Sequence, residues 1–352
     1  MIDKLFLCYR MTRIEYDDAF QKIQNYFKGT RSQLRKDKYD KTAYVTNGLS
    51  KYGFRDIRLR KNKWDYRRIE IRLRPKLLID QEGYYKLTAL KEFIEVSRNF
   101  NYVLKDLLGL TVPCFFQWQA SRVEFAVDLR VKEDLIPTYM ILFKKGNVPE
   151  YFLNEEITRK YWESETNVYL KSKNKTVNWY NRYETLVLRQ SNSNKSFADF
   201  SETRGIIRFE TQVRNISETV KDILNHENYE KEVLKFYRLI VGAGDYYKME
   251  DAIYLIRQKV SSQGKRMALE RLIRLVDTAG SVWRAKELYT EDRNKSKAAD
   301  QFSKRLNQLR KLNINPVTLP VEWGIDKLTN LYELIMEDID SNYDEKGEQE
   351  SC

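Results

Sequence analysis

Residues 121–131 read SRVEFAVDLRV, and this stretch predicts a β-strand with two different faces. Apolar and non-apolar positions alternate with the period of two that is typical of a half-buried strand. One face holds Val123, Phe125, Val127 and Leu129, and the other holds Glu124, Ala126 and Asp128. We therefore expect one face to belong to a core, while the other face is able to carry chemistry.

Two further segments share the form of this strand, namely RIEIR (68–72) and RFETQVR (208–214). Each places a glutamate between apolar neighbours, two residues after an arginine. A single glutamate in this setting is usually an outward-facing strand residue. If Glu70, Glu124 and Glu210 lie on neighbouring strands and face the same way, their oxygens converge as a divalent-cation site. Asp128 would lie on the same strand face as Glu124.

The remaining pattern of the first 215 residues predicts an α+β fold, an antiparallel sheet with helices packed against it. Besides 121–131, strands are expected at 2–9, 55–61, 67–74, 167–173, 176–183 and 205–214, with CFFQWQ (114–119) also in this strand-rich part. The first helix is expected over 88–108, ending at Gly109, and a second over 133–144. SNSNKS (191–196) has the composition of a loop.

The periodicity becomes helical from Ile216 onward, which divides the chain into three predicted parts. Residues 1–215 form the α+β part, 216–335 form a basic region of two to six helices, and 336–352 form an acidic flexible tail. Between Arg257 and Leu312 there are 15 basic and 6 acidic residues, and 55–76 holds 10 basic and 3 acidic residues. Both clusters suit a polyanionic partner.

Composition excludes several classes of protein. The formal charge of +12 favours a nucleic-acid partner, although a protein whose basic surface is only solvated can carry the same charge. One histidine, His226, and three dispersed cysteines provide neither a histidine-based metal site nor a disulfide framework or zinc site. A metal would need oxygen ligands, which favours Mg²⁺ or Mn²⁺. No signal peptide or membrane segment is expected, which fits a reducing cytoplasm.

A tyrosine near the end of the second hairpin, in WYNRYE (179–184), is a candidate nucleophile. A tyrosine that attacks a phosphodiester exchanges one ester for another, so that a free 3′ hydroxyl can later rejoin the strand. This chemistry requires a metal at the phosphate and a cation near the phenol. Tyr180 is favoured, Tyr183 is the alternative nucleophile, and Arg182 or Lys173 is the candidate cation.

These landmarks, in this order, resemble the replication initiators of filamentous phages, the gene II and gene X family. The likeness extends over most of the chain and includes the MID start, IEIRLRPKLL, ASRVEF, WES (162–164), RFETQVR and the basic helical region. The resemblance implies an HUH-like rolling-circle fold with carboxylates in place of histidines. It also implies nicking of one strand of origin DNA, a 5′-phosphotyrosine intermediate and strand transfer.

Carried over position by position, the family's nucleophile falls on Tyr180, its following basic residue on Arg182 and its Arg-x-acid strand on Arg122 and Glu124. Arginine stands at 182 where the family has lysine, and Glu124 replaces the commoner aspartate. The expected partners are double-stranded and single-stranded origin DNA, followed by a host helicase and polymerase. The alternatives are an origin-binding regulator without cleavage, and a basic structural protein.

Two groups of basic residues are expected to contact DNA. Those expected near the active site are Arg58, Arg60, Arg67, Arg68, Arg72 and Lys173. Those expected to hold phosphates from the C-terminal helices are Lys265, Arg266, Arg271, Arg274, Lys304, Arg305 and Arg310.

Overall fold

The predicted strands form one large antiparallel sheet in the computed structural model, which describes residues 1–109, 112–152, 167–191, 199–291 and 295–341. The nine strands of this sheet are β1 (Ile2–Met11), β2 (Arg35–Lys36), β3 (Ala43–Thr46), β4 (Phe54–Lys61), β5 (Arg67–Leu73), β6 (Gln119–Arg130), β7 (Asn167–Lys171), β8 (Lys175–Asn181) and β9 (Ile206–Arg214). Their order across the sheet is β2-β3-β4-β5-β1-β6-β9-β8-β7. The α+β class with flanking helices is therefore confirmed.

The helices follow the sheet strands along the chain or lie between them. In the first part they are α1 (Arg13–Tyr26), α2 (Phe93–Leu108), α3 (Ile136–Lys144) and α4 (Arg182–Ser191). In the second part they are α5 (Val220–Ile223), α6 (His226–Ile240), α7 (Met249–Lys259), α8 (Gln263–Ala279), α9 (Val282–Thr290), α10 (Lys295–Lys311) and α11 (Tyr332–Ser341). Two short strands of this second part, β10 (Tyr246–Tyr247) and β11 (Lys327–Leu328), pair with each other in antiparallel orientation.

Helices cover the apolar face of the sheet. Phe100 of α2 stacks on Phe54 with ring centroids 5.4 Å apart, and Phe143 of α3 lies 6.0 Å from Trp179. Tyr237 of α6 lies 6.0 Å from Phe209. These aromatic contacts join α2, α3 and α6 to three different strands. The sheet and α6, a helix of the second part, consequently share one hydrophobic core.

The opposite face of the sheet is polar, because the side chains that alternate with the core residues are charged or amide-bearing. Cross-strand partners on this face include Lys4 with Glu124, Asp128 with Arg208, and Glu210 with Asn178. We call this surface the polar face. The two-sided pattern predicted for 121–131 is thus present across the centre of the sheet.

Several boundaries differ from the sequence prediction. Strand β8 ends at Asn181 rather than at 183, because the Asn181 side chain accepts a hydrogen bond from the Glu184 backbone N–H at 3.4 Å and caps a helix that begins at Arg182. Residues 115–117 form a 3₁₀ turn instead of a strand, and β6 begins at Gln119. The first predicted helix begins with a 3₁₀ turn at 90–92 and ends at Gly109 as expected, with a φ of 77°.

The C-terminal part also departs from the prediction. The described residues after 216 hold seven α-helical segments rather than two to six. The tail expected from 336 is wrong for its first residues, since α11 continues to Ser341 and buries Ile339. Residues 342–352, most of the predicted loop 191–196 and the WES motif lie outside the described residues. None of the described helices combines the length and hydropathy of a membrane span.

The two faces of β8 predict different costs for substitution at neighbouring positions. Trp179 is fully buried against Phe143 and Phe209, so Trp179→Ala should lower the free energy of unfolding by about 3–5 kcal/mol. Tyr180→Phe keeps the ring and removes one hydrogen bond, so it should cost about 1 kcal/mol. Urea denaturation of the two variants measures both values, and equal losses would contradict this assignment of faces.

Candidate metal and tyrosine site

Three carboxylates from three adjacent strands come together on the polar face. Asp3 of β1, Glu124 of β6 and Glu210 of β9 are all buried, and each offers an oxygen within 4.8 Å of the others. We call these three residues the carboxylate cluster. The pairing of β1 with β6 shifts register between Ile2 and Lys4, and the side chains of both Asp3 and Lys4 reach this cluster. Such a shift is typical of a β-bulge, which redirects side chains locally.

Lys4 is the cation in closest contact with the cluster. Its Nζ lies 2.7 Å from Asp3 Oδ2 and 2.5 Å from Glu124 Oε2. Burial by itself would lower the pKa of the Lys4 ammonium, but Asp3 and Glu124 hold it above its ordinary value. Lys4 is therefore a fixed positive charge between two of the three acids.

Arg208 ties the cluster to a fourth acid, Asp128. The Arg208 guanidinium is 0% exposed and holds Asp128 with two bonds, from Nε at 2.6 Å and from Nη2 at 2.7 Å. Its Nη1 donates to Asp3 Oδ1 at 3.3 Å, and its Nη2 also donates to the backbone carbonyl of Tyr85 at 3.0 Å. Burial favours the neutral form of Asp3, yet Lys4 and Arg208 keep the pKa of this carboxyl well below its usual range.

A second chain of hydrogen bonds leads from Arg122 to Glu210. Arg122 pairs with Glu124 and donates to Gln212 Oε1 at 2.6 Å. Gln212 in turn donates from Nε2 to Glu210 Oε1 at 2.7 Å. Burial and the neighbouring Glu124 raise the pKa of Glu210, so this carboxylate is more basic than Asp3. Arg122, which the sequence predicts as a catalytic residue, therefore lies beside Glu124 of the cluster.

The Tyr180 hydroxyl lies at the edge of the cluster. It donates to Glu210 Oε2 at 3.2 Å, and the side chain is only 4% exposed. Burial, together with the charge of Glu210, raises the pKa of the phenol above its ordinary value. The predicted meeting of strand carboxylates and this tyrosine is therefore present, with the phenol in its protonated form near neutral pH.

Arg182 is a buried guanidinium with unused hydrogen-bond donors. Its Nη2 donates to the Tyr85 carbonyl at 2.8 Å, while Nε and Nη1 have no acceptor among the described residues. The residue is 2% exposed, and burial followed by the nearby Arg208 lowers its pKa. A buried cation with free N–H groups is costly unless an anion completes its shell. Arg182 therefore has the free donors that an arginine needs to bind an anion beside the tyrosine.

Other predicted site residues lie elsewhere. Glu70 is on the polar face but is opposite Cys8, and it pairs with Arg68 at 2.6 Å and Arg60 at 3.4 Å, so the predicted convergence with Glu124 and Glu210 is wrong. Asp128 is bound by Arg208 outside the three-acid group. Glu70 is displaced by strand register, and Asp128 is four residues from Glu124 along the same strand, roughly 13 Å away.

The alternative nucleophile and the alternative cation are also placed. The Tyr183 hydroxyl accepts a hydrogen bond from Arg204 at 2.8 Å, and the Arg204 guanidinium lies 4.1 Å above its ring. Lys173 is exposed in the β7–β8 turn, seven residues and roughly 23 Å of strand from Tyr180. The contact with Glu210 therefore favours Tyr180 over Tyr183, and the shared Tyr85 carbonyl that Arg182 and Arg208 both bind favours Arg182 over Lys173.

The predicted DNA-contacting residues occupy two regions. On the sheet, those bound to nearby acids are Arg58, Arg60, Arg67, Arg68 and Arg72. In the helical part, the exposed residues are Lys265, Arg271, Arg274 and Lys304, and the half-buried ones are Arg266, Arg305 and Arg310. Arg271 and Arg305 border a cavity of about 530 Å³ between α8, α9 and α10.

Sequence reasoning missed Asp3, Lys4, Arg208 and the Tyr85 carbonyl. An acid and a lysine inside an otherwise apolar first strand, IDKLFL, were a usable signal for the first two. Arg208 was visible only as the arginine preceding a strand glutamate. The contribution of Tyr85 is a backbone oxygen, which no side-chain pattern reveals.

Comparisons with family models, curated proteins and solved structures find no match for this chain.

The pKa of Asp3 predicts how stability depends on pH. Because the folded-state pKa is depressed, Asp3 stabilises the fold fully above its unfolded pKa of about 4, and this contribution is lost as pH falls toward the folded value. Asp3→Asn should cost about 3–5 kcal/mol near pH 7, since it breaks a buried pair, and less below about pH 4. Urea denaturation across this pH range gives the difference between the two curves, and a difference independent of pH would contradict the assignment.

Proposed function

We propose that this chain is a divalent-cation-dependent DNA endonuclease and strand transferase that initiates rolling-circle replication. The observation that carries the proposal is the hydrogen bond from the Tyr180 hydroxyl to Glu210, inside a cluster of three buried acids. The sequence resemblance to filamentous-phage initiators of the gene II and gene X family supports the same reaction. Mg²⁺ or Mn²⁺ is the proposed cofactor, and origin DNA, double-stranded and then single-stranded, is the proposed substrate.

In the proposed reaction, Glu210 accepts the phenolic proton of Tyr180 as the phenolate oxygen attacks the scissile phosphorus. The bond from phosphorus to the 3′ oxygen breaks, and that oxygen takes a proton from a water molecule, whose hydroxide is neutralised by the proton that Glu210 then releases. The products are a 5′-phosphotyrosine and a free 3′ hydroxyl, so the phosphodiester energy is conserved for rejoining. The hydrogen bond from the Tyr180 hydroxyl to Glu210 Oε2 places this carboxylate where a general base for the phenol is needed.

The donor set of the cluster suits a hard cation. Asp3, Glu124 and Glu210 provide only carboxylate oxygens, which are the ligands that Mg²⁺ and Mn²⁺ prefer. Such an ion would neutralise charge on the scissile phosphate. The buried N–H groups of Arg182 that lack acceptors would hold a phosphate oxygen.

The basic helices α8 and α10 are proposed to bind the DNA backbone away from the reaction centre. Their exposed lysines and arginines can neutralise phosphates without reading sequence. A host helicase and polymerase are the proposed partners once the 3′ hydroxyl is free.

One observation favours the second candidate, an origin-binding regulator that keeps the fold and does not cleave. The charges of Asp3, Glu124, Glu210 and Asp128 are matched by those of Lys4, Arg122, Arg208 and Arg182. Lys4 in particular lies between two of the three acids. A network balanced in this way is stable without a metal ion.

Nicking of a supercoiled plasmid that carries the origin tests the proposed reaction. With Mn²⁺ or Mg²⁺, wild-type protein should convert supercoiled to open-circular DNA and remain covalently attached to a 5′ phosphate. Tyr180→Phe should reduce the rate by at least about 10³-fold, because no other group replaces the nucleophile. Tyr183→Phe is the matched control and should nick at close to the wild-type rate.

The outcomes separate the candidates. Full activity of Tyr180→Phe, with loss in Tyr183→Phe, would transfer the role to the alternative tyrosine. Metal-independent, salt-sensitive origin binding without any nicking would instead establish the regulator.

Lys4 predicts how the cluster responds to divalent ions. Lys4→Met removes the ammonium from between Asp3 and Glu124, which leaves net negative charge in the cluster. The variant should be less stable than wild type without metal, and its melting temperature should rise more steeply with Mn²⁺ concentration. Thermal denaturation over an Mn²⁺ titration measures this, with Lys173→Met as the control. Equal responses of wild type and Lys4→Met would count against a metal at these carboxylates.

A further inference from the structure

An aromatic ring lies between two arginines beside the carboxylate cluster. Phe6 of β1 is the cross-strand partner of Arg72 on β5 and of Arg122 on β6. The Arg72 guanidinium carbon lies 5.2 Å from the centre of the Phe6 ring, and that of Arg122 lies 4.7 Å from it. All three side chains are partly exposed on the polar face. A half-exposed phenylalanine among cations on a charged surface contributes nothing to the core on the opposite face.

A second arrangement of the same kind lies further along β1. Arg10 and Arg68 are cross-strand partners, and their guanidinium carbons lie 5.0 Å and 5.9 Å from the centre of the Tyr66 ring. Arg10 is four residues from Phe6 on the same face of β1, a distance of roughly 13 Å. Two aromatic rings therefore lie along β1, Phe6 on the strand itself and Tyr66 just before β5, and each is flanked by two arginines.

The positive charge along this line is only partly neutralised. Glu70 is shared between Arg68 and Arg60, and the one ion-pair partner of Arg72 in the described part of the chain is Asp56, at 3.5 Å. Arg10 is exposed and forms no ion pair among the described residues. Like charges on opposed strand positions cost stability, so this density of arginine indicates an anionic partner.

The line leads directly into the carboxylate cluster. Arg122 contacts both the Phe6 ring and Glu124, and Lys4, two residues before Phe6, binds Glu124 as well. A ligand extended along β1 over Tyr66 and Phe6 would therefore approach Glu124 at the point where Lys4 and Arg122 bind it.

We propose that the polar face of β1 is a binding track for single-stranded DNA, with bases stacked at Phe6 and Tyr66 and phosphates held by Arg10, Arg68, Arg72 and Arg122. Aromatic rings with arginines in a basic groove are the features that bind unpaired bases without sequence preference. A duplex keeps its bases stacked on each other, so the rings would be unused. Binding of DNA by the track is independent of the proposed function, and only the delivery of that DNA to the reaction centre rests on it.

Binding and cleavage can be measured apart. A labelled oligothymidylate of about 15 nucleotides, a length that one such track can occupy, is titrated with Tyr180→Phe protein in EDTA and followed by fluorescence anisotropy. In this background, Phe6→Leu and Tyr66→Leu should each weaken binding about tenfold, and Phe6→Tyr should retain it. Tyr102→Leu, at an exposed tyrosine of α2, is the control and should bind unchanged.

The same titration with a duplex of equal length decides between single-stranded and general DNA binding. The proposal expects the duplex affinity to be unaffected by Phe6→Leu and Tyr66→Leu. It is overturned if single-strand affinity is unchanged in both variants while their melting temperatures match the parent, or if the duplex loses affinity equally. If the two variants lose single-strand affinity while wild-type protein never nicks DNA, the binding track stands and the proposed nickase activity is wrong.

Discussion

The buried guanidinium of Arg208 is the interaction on which the arrangement of the site depends. It joins Asp128 on β6, Asp3 on β1 and the Tyr85 carbonyl, so one side chain of β9 links three strands and the loop before α2. A charge without solvent exposure is tolerated only when its hydrogen bonds are nearly complete. Any movement of these strands would leave that charge unpaired, and the positions of the acids are constrained as a result.

This constraint acts on a sheet that has an apolar, closely packed face and a polar, hydrogen-bonded face. Trp179 and Tyr180 are neighbours, yet one is fixed in the aromatic core with Phe209 and the other touches Glu210. Because side chains alternate along a strand, a rigid core on one face holds the polar groups of the other face in place. The reacting groups of the proposed enzyme are thus positioned by strands rather than by loops.

Sequence patterns were sufficient for the strands and for the meeting of Glu124, Glu210 and Tyr180, because alternation fixes which face a residue occupies. They did not determine which residues of neighbouring strands lie opposite each other on that face. Glu70 has the same local pattern as Glu124, but register places it opposite Cys8, where arginines neutralise it. Asp3 enters the cluster through a shift in strand pairing, and such a shift has no periodic signature.

The charge balance of the site also sets how its ligands would depend on each other. A divalent cation added to four acids and four bases leaves the buried network with excess positive charge, and a phosphate added alone leaves excess negative charge. In a region of low dielectric each excess is expensive, whereas the two together nearly cancel. In the proposed reaction, metal and DNA would therefore bind cooperatively. Such coupling would confine the active arrangement to the DNA complex and keep Tyr180 protonated otherwise.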